Sequence, residues 1–259
     1  MTAERARKTG PQRSERHFEQ VVVRFAGDSG DALAIGGNHI IHLFRRNPDV
    51  NVVMFNNRVY GLTKGQFSPT SELGKRTRSS PHGSLDRPVN PASLALGSGC
   101  TFVARSAAVF TAHLRETLLK GKEHAGTSFV EVYQNGNIFN DGAFDGTVAR
   151  GHRDQRVLYL KHGEPLAWGK RWGLAAKGLD LEVIELESEP DRCLVHDEGS
   201  LALAQALSRM DPAEGFPVPM GVFFRERLDT YDELVAGTAR GREGSLQDLL
   251  SAGTTWTVR

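Results

Sequence analysis

Two short clusters in this sequence have residue types and spacing that suit a charged ligand. Gly27-Asp28-Ser29-Gly30-Asp31 directly follows a β-branched run, and Asn56-Asn57 directly follows another. Where such a glycine-rich turn opens a helix, the free backbone N–H groups and the helix dipole favour a phosphate. Asp and Asn oxygens beside that phosphate are hard ligands of the kind Mg²⁺ takes while bridging to phosphate oxygens. The pattern predicts a diphosphate held through magnesium. Each cluster also has a plainer use: a Gly-Asp turn caps helices, and Asn-Asn at a strand end makes a turn. Competing motifs fail. Gly121 to Ser128 has the glycine spacing of a P-loop but Thr127 at the lysine position. Ser29 is followed directly by Gly30 and Asp31, so no Gly-x-Ser-x-Gly elbow exists there.

These clusters need a frame that brings them together. Val21 to Ala26 reads as a strand. A helix is expected from Asp31 or Ala32 to Arg46, with Asp31 as candidate N-cap and Asn47-Pro48 as its stop. Val50 to Phe55 reads as a second strand. Strand, helix, strand at this spacing is a βαβ unit, so the two strands should be parallel. Ligands of an open parallel sheet sit at the carboxyl ends of its strands, where both clusters fall. A long polar segment from Asn56 to Pro91 follows, and loops of that length in compact domains are usually functional. Further helices are expected at 91–96, 111–120, 201–210, 230–237 and 246–250, and strands at 101–105, 127–133, 157–160, 181–186 and 218–224. The fold class is α/β, a doubly wound and mainly parallel sheet. A boundary near Phe144 divides a core domain over 21–144 from an α+β extension over 145–259, and residues 1–20 form a polar tail.

Composition narrows the function classes. Lys+Arg 32 against Asp+Glu 31 leaves a net charge of +1, which argues against a nucleic-acid binder working through bulk charge. No run of about 18 apolar residues is present to span a membrane, and no secretory leader is seen. Cys100 and Cys193 are the two cysteines, too few for a disulfide framework or a four-thiolate site. A cytoplasmic protein is expected.

The residues at the clusters resemble a known family. Gly30 to His39, Leu43 to Asn47 and Phe55 to Gln66 are similar to the beta subunit of 2-oxoacid:ferredoxin oxidoreductases, nearest the 2-oxoglutarate type. Ser68 to Ser71, Gly83 to Asp86, Phe102 to Arg105, Ile138 to Phe144, Leu194 to Glu198 and Thr255 to Val258 continue the likeness. The resemblance implies thiamine diphosphate with Mg²⁺, an alpha-subunit partner, a 2-oxoacid and coenzyme A as substrates, and ferredoxin as electron acceptor. The cofactor does the organic chemistry while the protein supplies position and charge. Carried over, Asn57 would bind Mg²⁺ by its side-chain oxygen and Val59 by its carbonyl. Gly30, Asp31, Ala32 and Gly61 would contact the cofactor. Leu62, Thr63 and Lys64 would face the substrate, Lys64 as a point charge for its carboxylate. On its residues alone Lys64 reads as a solvated loop lysine.

Three departures qualify that expectation. Ser29 stands where the family has its first Mg²⁺-binding Asp, and Asp28 would serve only if the loop rearranges. Gly136 stands where the family's fourth cluster cysteine is expected, and Cys100 and Cys193 match no ligand position, so no [4Fe–4S] cluster is expected on this chain. Residues 21–31 instead resemble the start of the alpha subunit. Strands and helices that lead the family's coenzyme domain would then be missing, leaving a sheet edge open. An active subunit, impaired when alone, a non-catalytic truncated or chimeric remnant, and an unrelated phosphate-binding α/β protein are the three readings.

Other residues have bland uses. His39 and His42 lie three apart on one helix face, better suited to a surface than to zinc. Ser200, after His196-Asp197-Glu198, is an expected N-cap. Lys75, Arg76 and Arg78 form a basic loop cluster, expected to be solvated. Trp168 and Trp172, four apart, are expected to pack as a pair on a helix.

Overall fold

The computed structural model describes residues 21–25, 31–239 and 247. Asp28, Ser29, Gly30, the tail over 1–20, most of the helix expected at 246–250 and the closing 255–258 motif lie outside the described residues. The elements in chain order are β1 (Val21–Phe25), α1 (Gly37–Arg46), β2 (Val50–Asn56), α2 (Pro91–Gly97), β3 (Phe102–Ala107), α3 (Thr111–Glu123), β4 (Ser128–Tyr133), the single turns α4 (Asp145–Val148) and α5 (Arg153–Arg156), β5 (Val157–Leu160), β6 (Ala167–Trp168), β7 (Trp172–Lys177), β8 (Asp180–Glu185), α6 (Leu201–Ser208), β9 (Val218–Arg225) and α7 (Tyr231–Ala239).

Six strands form one sheet in the order β1-β2-β4-β3-β9-β5. The strands from β1 to β3 are parallel, β9 runs antiparallel to β3, and β5 is parallel to β9. The sheet is mainly parallel and doubly wound, as its sequence pattern requires. Both faces are covered, so the strands read as apolar runs. On one face Val52, Met54, Val103 and Phe129 pack with Ile40 and Phe44 of α1, Ala95 and Leu96 of α2, and Leu207 of α6. On the other, Val53, Phe55, Ala104, Val130 and Val132 pack with Leu114 and Leu118 of α3. Residues on both sides of 144 share this sheet, because β5 and β9 complete it. The residues between them add a small antiparallel sheet, β6-β7-β8.

Two sequence readings need correction. The helix expected from Asp31 is broken: Asp31–Ile35 forms one π turn, and α1 starts after Gly36 with no side-chain cap. The paired Gly36-Gly37 weakens helix continuity there. Trp168 and Trp172 do not share a helix. They face each other across β6 and β7, where the Gly169-Lys170 turn takes left-handed φ values of 59° and 60°. Other stops behave as read. Asn47 ends α1 in the left-handed region at φ 51°, and Ser200 caps α6 by accepting the Leu203 N–H. His39 and His42 are exposed on α1. Among the described residues no helix is long and apolar enough to cross a membrane.

Candidate cofactor site

Parallel register sets Phe25 of β1 beside Met54 of β2, so the chain leaves both strands at the same carboxyl edge. At that edge β2 ends in two overlapping side-chain turns. The Asn56 Oδ1 accepts the Arg58 N–H at 3.1 Å, and the Asn57 Oδ1 accepts the Val59 N–H at 3.2 Å. Asn-X-X turns of this kind are what the dipeptide's short amides favour. Arg58 between them sits at φ 56°, a left-handed conformation uncommon for a non-glycine. It is held by the Ser71 hydroxyl, which donates to its carbonyl at 2.6 Å, and by its guanidinium lying 4.4 Å over the Phe144 ring. Phe144 stacks in turn on Tyr133, with centroids 4.2 Å apart.

A second loop clasps this turn. The Asn140 Nδ2 donates to the Asn57 carbonyl at 2.9 Å, and Lys75 Nζ donates to the Asn140 Oδ1. Lys75 also pairs with Glu72 at 3.0 Å, so of the basic cluster this lysine is not simply solvated. Phe139 lies against Gly65, where an added Cβ would come within 3.1 Å of its ring. The expected substrate residues occupy the tip of the 60–66 hairpin, closed by the Tyr60 N–H to Gln66 carbonyl bond at 2.8 Å. Leu62 is 90% exposed, Thr63 and Lys64 are exposed, and Lys64 takes φ 68°. Gly61 is half-buried, and its carbonyl accepts the Lys64 N–H.

Beneath the turn lies a group that sequence reasoning missed. The Glu131 side chain, 1% exposed, accepts from the Arg105 Nε at 2.7 Å and from the Asn56 Nδ2 at 2.8 Å. Burial opposes the Arg105 charge, but the neighbouring Tyr133 phenol and Glu131 carboxylate outweigh it and raise the guanidinium above its ordinary value. The available signal was a charged residue inside each of two strands otherwise read as buried.

Asn57 and Val59 fit a magnesium ion. The Asn57 Oδ1 keeps a second lone pair beyond the Val59 N–H. Among the described residues the Val59 carbonyl accepts no hydrogen bond, although Val59 is 1% exposed. Both are hard oxygen donors, and no cluster of three or more His, Cys, Asp or Glu is found among the described residues to attract a softer metal. Asp28 and Gly30 lie outside the described residues; of Asp31 and Ala32 the backbone alone is described, opening the π turn. An iron–sulfur cluster does not fit the thiols described. Cys100 is buried, which pushes its thiol up to about 12, and its Sγ contacts the Phe102 carbonyl at 3.2 Å. Cys193 follows the turn over 190–192 beside the small sheet, its Sγ 3.7 Å from the Leu166 carbonyl. Gly136 stands in a turn closed by Asn140 N–H and Asn135 amide bonds.

Comparison with known proteins gives the chain its family. The family described as thiamine pyrophosphate enzyme, C-terminal TPP binding domain, matches residues 7–132, which end within β4. The 2-oxoglutarate oxidoreductase subunit KorB of Mycobacterium tuberculosis is 42% identical over 252 residues, 93% of this chain and 67% of that protein. The chain belongs to the beta subunits of 2-oxoacid:ferredoxin oxidoreductases. A beta subunit from Aeropyrum pernix is 45% identical over 84% of the chain, and one from Saccharolobus solfataricus 34% over 81%. The chain spans 59% and 60% of those two relatives' lengths. The 2-oxoglutarate:ferredoxin oxidoreductase of Magnetococcus marinus, solved with 2-oxoglutarate, coenzyme A and succinyl-CoA bound, superposes with a TM-score of 0.69 at 26% identity, over 92% of this chain and 68% of that one. The matched residues of this chain take in β1 to β3 and most of β4, and the Asn56 to Gln66 turn leaves the carboxyl end of β2 within them.

Proposed function

We propose that this beta subunit holds thiamine diphosphate with Mg²⁺ at the carboxyl edge of β1 and β2. It would work with an alpha subunit in converting a 2-oxoacid, 2-oxoglutarate by the relatives' names, and coenzyme A to an acyl-CoA, with electrons passing to ferredoxin. The observation that carries this is the pair of oxygens at Asn57 and Val59, both on a turn fixed by bonds from Asn140 and Ser71. When bound, thiamine diphosphate would supply the nucleophilic carbon and the electron sink that decarboxylation of a 2-oxoacid requires.

The chain's own residues would hold and orient. Asn57 and Val59 would bind the metal, and Gly30, Asp31 and Ala32 would hold the diphosphate by their backbone, with Gly61 against the cofactor. Lys64 presents an ammonium to the substrate carboxylate, and Leu62 and Thr63 border the same tip. Asp28 is the carboxylate near enough in sequence to stand in for the aspartate replaced by Ser29. Calorimetry with thiamine diphosphate and MgCl₂ tests the reading. Wild type should bind, and Asn57→Ala should weaken binding by about tenfold or more, corresponding to roughly 1.4 kcal/mol. No heat for wild type at millimolar ligand overturns it.

A second reading is a non-catalytic, truncated or chimeric subunit. It is favoured by Ser29 and by Gly136 at the expected cluster position. It predicts cofactor binding without bound iron or cluster absorbance in anaerobically purified protein, and bound iron argues against it.

A further inference from the structure

We infer that Glu131, held by Arg105, is a positioning residue that orients the Asn56 amide and through it sets the turn carrying Asn57 and Val59. The inference rests on the cofactor reading of this edge for its consequence, but not for its geometry. A primary amide has two ends of similar shape, one donating and one accepting. An ionised carboxylate only accepts. With Arg105 Nε on Glu131 Oε2 at 2.7 Å, the other carboxylate oxygen faces Asn56 at 2.8 Å, and only the Nδ2 end can meet it. The Oδ1 end is therefore turned outward. There it accepts the Thr70 hydroxyl at 2.8 Å and the Arg58 N–H at 3.1 Å.

That last bond supports Arg58, the left-handed residue between Asn57 and Val59. Arg58 at φ 56° lies directly between the two proposed metal ligands, so its conformation sets the spacing of the Asn57 side chain and the Val59 carbonyl. A left-handed non-glycine persists where its surroundings over-determine it. Here the determinants run from the sheet into the loop: β3 through Arg105, β4 through Glu131, β2 through Asn56. Stability is a poor reason for the ion pair, since replacing a buried pair by apolar residues of like volume is often neutral or stabilising.

Two double variants of the full chain separate the roles. R105M/E131M removes both charges and the acceptor. R105M/E131Q removes both charges but keeps an acceptor for the Asn56 Nδ2. Hydrogen exchange read over 56–66 and 128–133 should show the first variant exchanging about tenfold faster at Arg58 to Gly61, with β4 unchanged, and the second within about threefold of wild type. The dissociation constant for thiamine diphosphate with Mg²⁺ should follow the same order. Should the doubles not fold, Asn56→Ala leaves the ion pair in place and should reproduce the fast exchange. Unchanged exchange at 58–61 in R105M/E131M or Asn56→Ala, or equal behaviour of the two doubles, overturns the inference. If wild type binds no cofactor while the exchange contrast holds, the cofactor reading falls and the positioning role stands.

Discussion

Acidification should unfold this protein partly through His124, and a single substitution should remove that contribution. His124 ends α3 and is buried at 6% exposure. Its Nε2 lies 2.8 Å from the Thr101 hydroxyl, which itself donates to the Asn47 Oδ1 at 2.7 Å, so the neutral imidazole donates to Thr101. Burial first, then the Arg225 and Arg227 charges, pull its pKa from 6.5 to about 4. The folded state disfavours the imidazolium, so stability is full above the unfolded value and falls as pH drops from 6.5 towards 4. At pH 5 the loss relative to pH 7.5 is about 2 kcal/mol from this group, or roughly 4 to 8 °C in Tm for a chain of this size. His124→Gln keeps a donor for Thr101 but does not titrate. At pH 7.5 it should be less stable by about 1 kcal/mol, for imperfect hydrogen bonding. At pH 5 the order should reverse. His196 is also held neutral by burial and tilts both curves equally, so the difference between them isolates His124. Urea midpoints at pH 5, 6 and 7.5 decide it, and parallel curves refute the reasoning.

Two further perturbations test the parts around the turn and the sheet. Asn140→Ala removes the bonds to the Asn57 and Arg58 carbonyls at 2.9 and 3.4 Å. It should loosen the turn by about 1 to 2 kcal/mol, raising amide exchange at 58–60 about 5- to 30-fold with little change in Tm. Gly126 takes φ 123°, and a Cβ there would stand 2.5 Å from the Asn47 Oδ1 that accepts the Thr101 hydroxyl and the Thr127 N–H. Gly126→Ala should cost at least about 3 kcal/mol in urea unfolding, whereas Gly37→Ala, with nothing within 4 Å of the new methyl, should be neutral or stabilising by up to about 1 kcal/mol.

Much of the frame was legible because its signals are local. The β-branched runs, the Asn47-Pro48 stop and the Asn and Ser caps announce β2, α1 and α6, and the βαβ spacing dictates the parallel pairing of β1 with β2. The Asn56-Asn57 pair was readable as a turn and as a candidate ligand, and the fold makes it a turn whose oxygens suit the second use. Other features were not readable, because they depend on partners distant in sequence. Trp168 and Trp172 keep helical spacing, but a left-handed turn at Gly169-Lys170 folds them into a hairpin, and β8, later in the sequence, pairs with β7 to complete the small sheet. The long 56–91 segment looked structureless. It is held by backbone bonds such as Val89 N–H to the Pro69 carbonyl at 2.7 Å, and by the close approach of Gly83 to Gly74. Arg105 and Glu131 were invisible as a pair because β3 and β4 are adjacent only in the folded sheet.

The placement of that pair explains how the turn after β2 is held rigid. Side chains alternate along a strand, so Val52, Met54 and Asn56 share one face of β2, Val103 and Arg105 share it on β3, and Phe129 and Glu131 on β4. The stripe is apolar under α1 and α2 and becomes polar only at its carboxyl end. Each polar member there is satisfied by another, which makes burial tolerable. The register does the rest: it fixes the depth of Arg105 and Glu131 in the sheet, and hydrogen bonds carry that fixed position outward to Asn56 and then Arg58. A turn whose strained residue is braced by three adjacent strands does not have to spend cofactor-binding energy on ordering itself. The same bracing makes it vulnerable. Any substitution that leaves one of the buried charges unpaired should disturb the turn carrying Asn57 and Val59 as well as the core, even though neither charged side chain reaches the surface.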